Sequence, residues 1–310
     1  MIVLHGWEDL QGKLIRPVIA LGKFDGVHRG HQKLLTQVRL LALSRQVSSM
    51  AMTFDVHPYS LLKPHRVPPM VTTPEEKTEL ISQSQVDALL YLNFTPEFAR
   101  LSAWEFARDY LAGIIGAGMI LAGKNFRFGR NRTGDVEKLR RWGKKLDFEF
   151  RVVHQTMAAG EPISSTRVRK VIASGDMPQA ARLLGRPYSL AGEVYQGEGR
   201  GRGLGAPTAN LRLPSKLFPP DGVYLVQAAQ GRGRLSPALA NLGYSPTFGG
   251  EERRLEVHFL GRREKMYGKR VKVFFERFLR PEISFPSPEA LAEQIQADLR
   301  QAEKYFRGHK

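Results

Sequence analysis

The strongest constraint on the fold is a run over residues 17–41 that passes from an apolar stretch through a glycine-containing turn into a helix-periodic segment. Residues 17–21 are apolar, as in a buried strand, and residues 22–31 read GKFDGVHRGH. Apolar side chains then recur at helical spacing, at Leu34, Leu35, Val38 and Leu41. This pattern predicts a strand, a tight turn and an amphipathic helix, which together form the repeating unit of an α/β fold.

Two histidines lie at the predicted start of this helix, where unpaired backbone amides and the helix dipole favour a bound phosphate. His28 and His31 are three residues apart and would share one side of the first turn. Two imidazoles there would donate hydrogen bonds to phosphate oxygens as charge develops in a transition state. The pattern H-x-G-H in this setting indicates nucleotidyl transfer, although a histidine at a helix start is also a common cap. The phosphate-binding turn would comprise Gly22, Phe24, Asp25 and Gly26.

Composition narrows the class of protein. A chain of 310 residues has room for two ordinary domains, each with its own core. The absence of cysteine excludes disulfides, thiolate metal sites and a cysteine nucleophile. No apolar run is long enough to span a bilayer, and the first residues do not resemble a signal peptide. The sequence therefore predicts a cytoplasmic protein with no membrane partner.

The net charge of +17 raises the question of nucleic-acid binding. Residues 1–180 carry 25 Lys and Arg against 17 Asp and Glu, and residues 181–310 carry 22 against 13. The excess is therefore shared between the two halves and is not gathered in a tail or a single helix. Sites for polyphosphate substrates explain such a surface equally well, so nucleic acid is not the expected partner. The sequence contains no indication of the oligomeric state.

The first half alternates strand-like and helix-like segments. Strands are predicted at residues 47–54, 86–92, 119–122 and 150–153, with helices beginning at residue 74 and spanning residues 97–115 and 137–145. Such alternation predicts a Rossmann-like domain with a parallel sheet and right-handed crossovers. Ligands of these sheets bind at the carboxyl ends of the strands, where the two histidines are expected.

The second half has a different pattern. Short strand-like segments are separated by loops rich in glycine, proline and arginine, at residues 190–195, 223–229, 238–242, 255–260 and 271–275. This spacing favours an antiparallel β-barrel, followed by a helix that begins near residue 288. Helical periodicity ends near residue 184, so the predicted domains are 1–184 and 185–310.

Two further segments of the first half fit a nucleotide. GKNFRFG, at residues 123–129, directly follows a predicted strand, so Asn125 would bind a sugar or phosphate and Arg127 would neutralise phosphate charge. ISSTRVR, at residues 163–169, opens a helix, and its hydroxyl groups and arginines suit a triphosphate. The candidate residues are Ser164, Ser165, Thr166 and Arg167. The alternatives are a plain surface loop and a plain helix cap.

In the second half, GEGRGRGLGAPTAN at residues 197–210 allows close approach of the backbone to a ligand. Thr208 and Asn210 offer the neutral oxygens that hold Mg²⁺ beside nucleotide phosphates. The Arg-Gly repeat would alternatively contact RNA. Glu256 lies in the alternating segment LEVHFL and would act as a general base toward a hydroxyl, unless it is simply a solvated carboxylate.

Seven motifs in this order resemble the bacterial bifunctional riboflavin kinase/FAD synthetase family over nearly the whole chain. GKFDGVHRGH, GKNFRFG and ISSTRVR are similar to its FMN adenylyltransferase module. The glycine-rich run into PTAN, DGVY at 221–224, NLGYSPTF at 241–248 and LRPE at 279–282 are similar to its riboflavin kinase module. The chain departs from the family pattern at residues 261–268, GRREKMYG, which are basic where the family usually has acidic residues.

The resemblance implies a Rossmann-like nucleotidyltransferase domain followed by a six-stranded antiparallel β-barrel with a C-terminal helix. It implies that riboflavin is phosphorylated to FMN and FMN is adenylylated to FAD, with ATP as co-substrate and Mg²⁺ as cofactor. His28 and His31 would stabilise the α-phosphate, with Asn125 positioning the nucleotide. Ser164, Ser165, Thr166 and Arg167 would hold pyrophosphate. In the kinase module, Glu256 would be the base, Thr208 and Asn210 would hold Mg²⁺, and the further ATP- and flavin-binding residues would be Gly205, Pro207 and Arg280.

Other classes of function fit part of the sequence. A cytidylyltransferase-like enzyme would explain the histidine motif and leave the second half without a role. Class I aminoacyl-tRNA synthetases also carry a histidine pair, but this chain is short and has no Lys-Met-Ser-Lys-Ser-like loop. An RNA-binding protein with an OB-like second domain would need exposed aromatic side chains on adjacent strands, for which Tyr195 and Tyr224 are among the few candidates.

Overall fold

The computed structural model describes residues 1–10, 12, 14–196, 208–231, 233–247, 250–261 and 266–308, without the side chains of 245–247 and 250–252. It divides into two compact units, Met1–Ser165 and Thr166–Lys310. Gly205, Pro207 and residues 262–265 of the basic segment at 261–268 lie outside the described residues. Within the described ranges, no helix is both long and apolar enough to cross a membrane.

The first unit contains the predicted parallel sheet. It has six strands in the order β1-β4-β3-β2-β5-β6, and each neighbouring pair is parallel. The strands are β1 Ile2–His5, β2 Val18–Leu21, β3 Ser49–Phe54, β4 Ala88–Leu92, β5 Met119–Gly123 and β6 Glu149–Val153. The central strands are buried on both faces, which explains why they read as apolar runs rather than as alternating patterns. A short antiparallel pair, β7 Met157–Ala158 and β8 Glu161–Pro162, follows the sheet.

Helices cover both faces of this sheet. They are α1 Arg29–Arg45, α2 Tyr59–Leu62, α3 Pro74–Ser82, α4 Pro96–Arg100, α5 Ala103–Glu105 with a π-helix over Phe106–Ile114, and α6 Val136–Gly143. The prediction of one continuous helix over 97–115 is wrong at residues 101–102. There Leu101 is extended, and Ser102 begins a new helix through a reciprocal capping box with Glu105.

The second unit contains the predicted barrel. Two helices, α7 Ser165–Ala173 and α8 Met177–Leu184, precede six antiparallel strands that close in the order β10-β13-β12-β11-β14-β9. These are β9 Tyr188–Tyr195, β10 Ala209–Arg212, β11 Gly222–Gln230, β12 Ser236–Thr247, β13 Gly250–Phe259 and β14 Arg270–Arg280. Sequence periodicity did not indicate β10. The closure of the barrel depends on it, because β10 pairs with both β9 and β13.

The C-terminal helix α9, Pro288–Arg307, packs on the outside of the barrel. Ala302 and Leu299 contact a cluster on β11 and β12 that includes Val223, Leu225 and Leu239. The helix therefore covers the part of the outer barrel surface formed by β11 and β12. The division of the chain at 184/185 remains a proposal, since α7 and α8 belong to the barrel unit in the compact division.

Candidate active sites

The turn between β2 and α1 has a strained backbone. Phe24, Gly26 and Val27 have φ angles of 50°, 79° and 37°, all in the left-handed region. Glycine adopts this region readily, but a buried β-branched valine does so rarely and at a cost of about 1–3 kcal/mol. Gly22 makes room for the Phe24 ring, because a Cβ at position 22 would lie 3.0 Å from it. The turn therefore needs contacts from outside itself to persist.

Those contacts come from the segment before α3. The Asp25 carboxylate, which is buried, accepts hydrogen bonds from the backbone amides of Val71 at 2.9 Å and Thr72 at 3.3 Å. The Gly26 amide donates to the Thr72 hydroxyl at 3.2 Å. Both groups are thus engaged within the protein, and they fix the turn rather than point outward. Their predicted contact with phosphate stays a prediction.

The turn places two stacked imidazole rings at the start of α1. His28 is the N-cap, and its Nδ1 accepts from the His31 amide at 3.4 Å. The two ring centres are 3.7 Å apart and the ring planes differ by 16°. A Cβ at Gly30 would lie 3.1 Å from the His28 ring, which explains the glycine of H-x-G-H. With Nδ1 of His28 accepting, Nε2 of the neutral ring is left as its donor.

His31 is held as a neutral imidazole. Burial, the neighbouring His28 and the Lys77 ammonium, in that order, lower its pKa well below the ordinary value. The edge of the Phe24 ring packs against it with ring centres 5.2 Å apart. Its Nδ1 is buried with no hydrogen-bond partner among the described residues. A neutral imidazole in this position donates a hydrogen bond without bringing a full charge into the site.

The other predicted residues of the first site lie in two places. Asn125 and Arg127 are exposed in the loop that follows β5, at the carboxyl edge of the sheet, and Arg127 donates to the Phe126 carbonyl at 3.2 Å. The Ser165 hydroxyl donates to the Asp25 carbonyl at 3.0 Å, which brings residues 164–165 beside the histidine turn. Thr166 and Arg167 continue the first turn of α7, in the second unit.

A concave region at the opposite, amino-terminal edge of this sheet is also rich in arginine. Its volume is about 670 Å³. Arg16 contacts Asp147 at 2.7 Å and Arg45 contacts Glu149 at 2.8 Å, so carboxylates already engage these guanidinium groups. The region therefore lacks the signs of a phosphate site that the histidine turn shows.

In the barrel, strand register aligns the predicted kinase residues. Glu256 on β13 pairs directly with Asn210 on β10 and with Asn241 on β12. Paired residues point to the same face of a sheet, and Leu255 and Val257 on either side of Glu256 are fully buried inside the barrel. Asn210, Glu256 and Asn241, called the Glu256 row, therefore lie on the outer face of the barrel. There Asn210 is buried and the Glu256 side chain is 26% exposed. Thr208 directly precedes β10 and is half-buried.

Two neighbours of this row were not identified from the sequence. The Arg254 guanidinium contacts the Glu256 carboxylate at 2.9 Å. The Asn241 amide donates to the Glu282 carboxylate at 3.0 Å, and a Cβ at Gly243 would lie 2.3 Å from the same carboxylate. Alternation along β13 places Arg254 on the face of Glu256, which is a signal that the sequence did contain.

Arg280 has a structural partner. Its guanidinium makes a two-pronged ion pair with Asp298 of α9, at 2.8–3.1 Å, and Asp298 is buried. The register places Arg280 next to Val223, at the end of β14. The side chain thus fastens the C-terminal helix to the barrel, and its predicted contact with ATP or flavin stays a prediction.

A parallel α/β unit with stacked histidines at a helix start, joined in one chain to a barrel with a glutamate–asparagine row, defines a two-module nucleotide-dependent transferase. A family model described as FAD synthetase matches residues 11–167, and one described as riboflavin kinase matches residues 184–306. The chain belongs to the bifunctional riboflavin kinase/FMN adenylyltransferase family.

Relatives of that description match along almost the full chain. The protein of Buchnera aphidicola subsp. Acyrthosiphon pisum is 30% identical and covers 100% of both chains. That of Escherichia coli (strain K12) is 34% identical over 93% of this chain and 92% of its own, and that of Pseudomonas fluorescens is 35% identical over 96% of each. A crystal structure described as a macrolide-efflux protein from Streptococcus pneumoniae is 32% identical and covers 98% of this chain and 99% of its own, with a TM-score of 0.89. That description concerns that protein, and the similarity supports the fold found here.

Proposed function

We propose that this protein phosphorylates riboflavin to FMN in the barrel module, residues 185–310, and adenylylates FMN to FAD in the first module, residues 1–184. The observation that carries the proposal is the presence of both sites, the stacked histidines and the Glu256 row, in a chain that both family models match. ATP serves as co-substrate in each step. A cytoplasmic location stays a prediction from the sequence.

In the first module, a phosphate oxygen of FMN attacks the α-phosphorus of ATP. The bond from that phosphorus to the bridging oxygen of the β-phosphate breaks, and pyrophosphate leaves. His28 and His31 donate hydrogen bonds to the α-phosphate oxygens as negative charge increases there, and donors placed in advance at developing charge are a major source of rate acceleration. The lowered pKa of His31 and the stacked geometry of the two rings suit this role. Asn125 and Arg127 position the nucleotide, and Ser164, Ser165, Thr166 and Arg167 receive the pyrophosphate.

In the barrel module, the terminal ribityl hydroxyl of riboflavin attacks the γ-phosphorus of ATP. Glu256 accepts the hydroxyl proton, the bond to the β–γ bridging oxygen breaks, and FMN and ADP are formed. The Arg254 contact holds the carboxylate in one orientation on the outer face of β13. Gly205, Pro207 and Arg280 are the further candidates for contact with ATP or flavin.

Mg²⁺ is proposed as the cofactor of the kinase step. Mg²⁺ takes oxygen ligands and usually keeps few protein contacts beside the phosphates of its substrate. The Thr208 hydroxyl and the Asn210 amide supply neutral oxygens, and Asn210 lies buried directly opposite Glu256, so the residues fit the ion. Bound there, Mg²⁺ would neutralise charge on the phosphates.

A time course of purified protein with riboflavin, ATP and Mg²⁺, separated by chromatography, tests both activities. We expect FMN to appear first and then to give way to FAD. FMN that accumulates without FAD would restrict the activity to the barrel. If supplied FMN becomes FAD while riboflavin is untouched, the basic segment at 261–268 becomes the first object of study. No flavin product from either substrate would overturn the proposal.

A further inference from the structure

A buried lysine lies beside the histidine turn, and the mechanism above gives it no role. Lys77, in the first turn of α3, is 4% exposed, although lysine is almost never buried without a partner. Its ammonium lies 5.7 Å from the centre of the Tyr91 ring on β4. Burial lowers the pKa of Lys77, and the carboxylates of Asp25 and Asp55 oppose that effect. The ammonium is therefore attracted by both carboxylates.

The two carboxylates hold the backbone of the site. Asp25 follows β2 and accepts from the amides of residues 71–72. Asp55 follows β3 and accepts from the amides of Val56 at 2.7 Å and Phe94 at 3.3 Å. Lys77 thus lies beside Tyr91 on β4 and interacts with carboxylates that follow β2 and β3, at the edge of the sheet where ligands of parallel sheets bind.

We propose that Lys77 is a positioning residue for adenylyl transfer, whose buried ammonium compensates the charge of the buried Asp25 carboxylate and so keeps the strained turn at 24–27 bonded to residues 71–72. Without the cation, the buried Asp25 charge would lose its compensation and the left-handed turn would lose its support. The histidine rings would then move from their stacked position. This inference rests on the proposed function.

The cation also acts on His31 through space. The titratable groups that act on that ring are His28 from the start of α1 and Lys77 from α3, and Asp25 after β2 and Asp55 after β3 act in turn on Lys77. The positive charge of Lys77 contributes to the lowered pKa of His31. Removal of that charge raises this pKa. The acidic limb of the adenylylation pH profile then moves to higher pH, because the protonated ring appears earlier as the pH falls.

The test compares three variants of the full-length protein. Lys77→Met removes the charge, Lys77→Arg keeps it, and Lys145→Met makes the same change at an exposed lysine of the same unit. FAD formation from FMN and ATP is measured from pH 5.5 to 8.5, and FMN formation from riboflavin is measured in each preparation. We expect K77M to lose about a hundredfold in the rate of adenylylation, as a displacement of about 1 Å would cause. Its acidic limb should move to higher pH, and phosphorylation of riboflavin should be unchanged. K77R should recover most of the rate, and K145M should match the wild-type protein.

Tryptophan fluorescence checks that the first unit is folded, since Trp7, Trp104 and Trp142 all lie in it. If K77M is unfolded there, Lys77→Gln takes its place with the same expectations. Two outcomes overturn the inference while the wild-type protein still forms FAD. In one, the folded uncharged variant adenylylates FMN like the wild-type protein. In the other, it loses activity with an unchanged pH profile and K77R does not recover it, so that Lys77 only stabilises the fold. A wild-type protein that forms no FAD would instead refute the proposed function.

Discussion

The two candidate sites use ATP but are built in opposite ways. In the first unit, the two histidines and the strained turn that holds them lie within the ten residues 22–31, and their rings are packed into the protein. In the barrel, Asn210, Asn241 and Glu256 come from three strands and are aligned only by strand register. The histidine turn is contiguous in the sequence and depends on support from other segments, whereas the barrel residues are dispersed in the sequence and belong to a regular sheet.

This difference determines which substitutions should inactivate each site. The histidine turn depends on a few hydrogen bonds with residues 71–72, so a change outside the motif should displace the reacting groups. The barrel row is fixed by backbone pairing on both sides of β13, so its geometry persists unless the barrel itself opens. The two activities should therefore respond separately to substitution, and each serves as the control for the other.

Substitution of the histidines should give the largest difference between the two activities. His28→Ala or His31→Ala should lower FAD formation from FMN by about a thousandfold, because a donor to the developing phosphate charge is removed. Phosphorylation of riboflavin should remain at the wild-type rate. His154→Ala, at an exposed histidine of the same unit, should change neither rate. Equal loss of both activities in folded H31A would contradict the division between the units.

Glu256→Gln should have the opposite effect and lower the kinase activity alone. Loss of the general base should lower riboflavin phosphorylation by about a hundredfold, with FAD formation from supplied FMN unchanged. Both rates are measured by chromatography of the flavins. Glu193→Gln, at an exposed position on β9 of the same barrel, is the matched control. If E193Q loses as much activity as E256Q, Glu256 is not the specific acceptor of the hydroxyl proton.

A change in stability should also be confined to one unit. Arg280→Met leaves the buried Asp298 without its ion pair and should destabilise the barrel by about 2 kcal/mol. Thermal loss of kinase activity should occur at lower temperature, while tryptophan fluorescence of the first unit shows an unchanged midpoint. Arg307→Met breaks an exposed pair with Glu303 on the same helix and should have little effect. A common shift of both midpoints in R280M would mean that the units unfold together.

The smallest expected effect is the dependence of the first unit's stability on pH. The pKa of His31 is lowered in the folded state, so the unfolded chain binds this proton first as the pH falls below about 6.5. The folded state is therefore progressively disfavoured at lower pH. Urea unfolding followed by tryptophan fluorescence should show a falling midpoint from pH 7.5 to 5.5, and His31→Gln should flatten that slope. An identical slope in H31Q would assign the effect to other groups.

The same comparison explains how much the sequence could predict. The histidine turn was recognisable because strand, turn and helix signals lie next to each other in the chain. The parallel sheet followed from the alternation of elements, and the five longer barrel strands followed from their spacing. The family resemblance implied a barrel of six strands. It did not locate the sixth strand, Ala209–Arg212, because four residues after a glycine-rich run are too few to show an alternating pattern.

Other features of the sites depend on tertiary structure. Nothing local to Asp25 indicates that it binds the amides of residues 71–72, because that contact joins segments 46 residues apart. Lys77 lies in a helix that begins with a capping box, where a lysine normally faces solvent. Its position one turn before the buried Ile81 was the available signal. Arg280 lies in the LRPE motif, and only the packing of α9 on the barrel shows that it forms an ion pair with Asp298.

The most direct test of two independent sites in one chain is a mixing experiment with H31A and E256Q. Each variant alone, given riboflavin, ATP and Mg²⁺, should form little or no FAD, since one stops at FMN and the other does not make it. An equimolar mixture should form FAD after a lag, as FMN released by H31A is adenylylated by E256Q. Formation of FAD from riboflavin by either variant alone would contradict the account. So would a mixture that forms none although E256Q converts supplied FMN to FAD and H31A releases FMN.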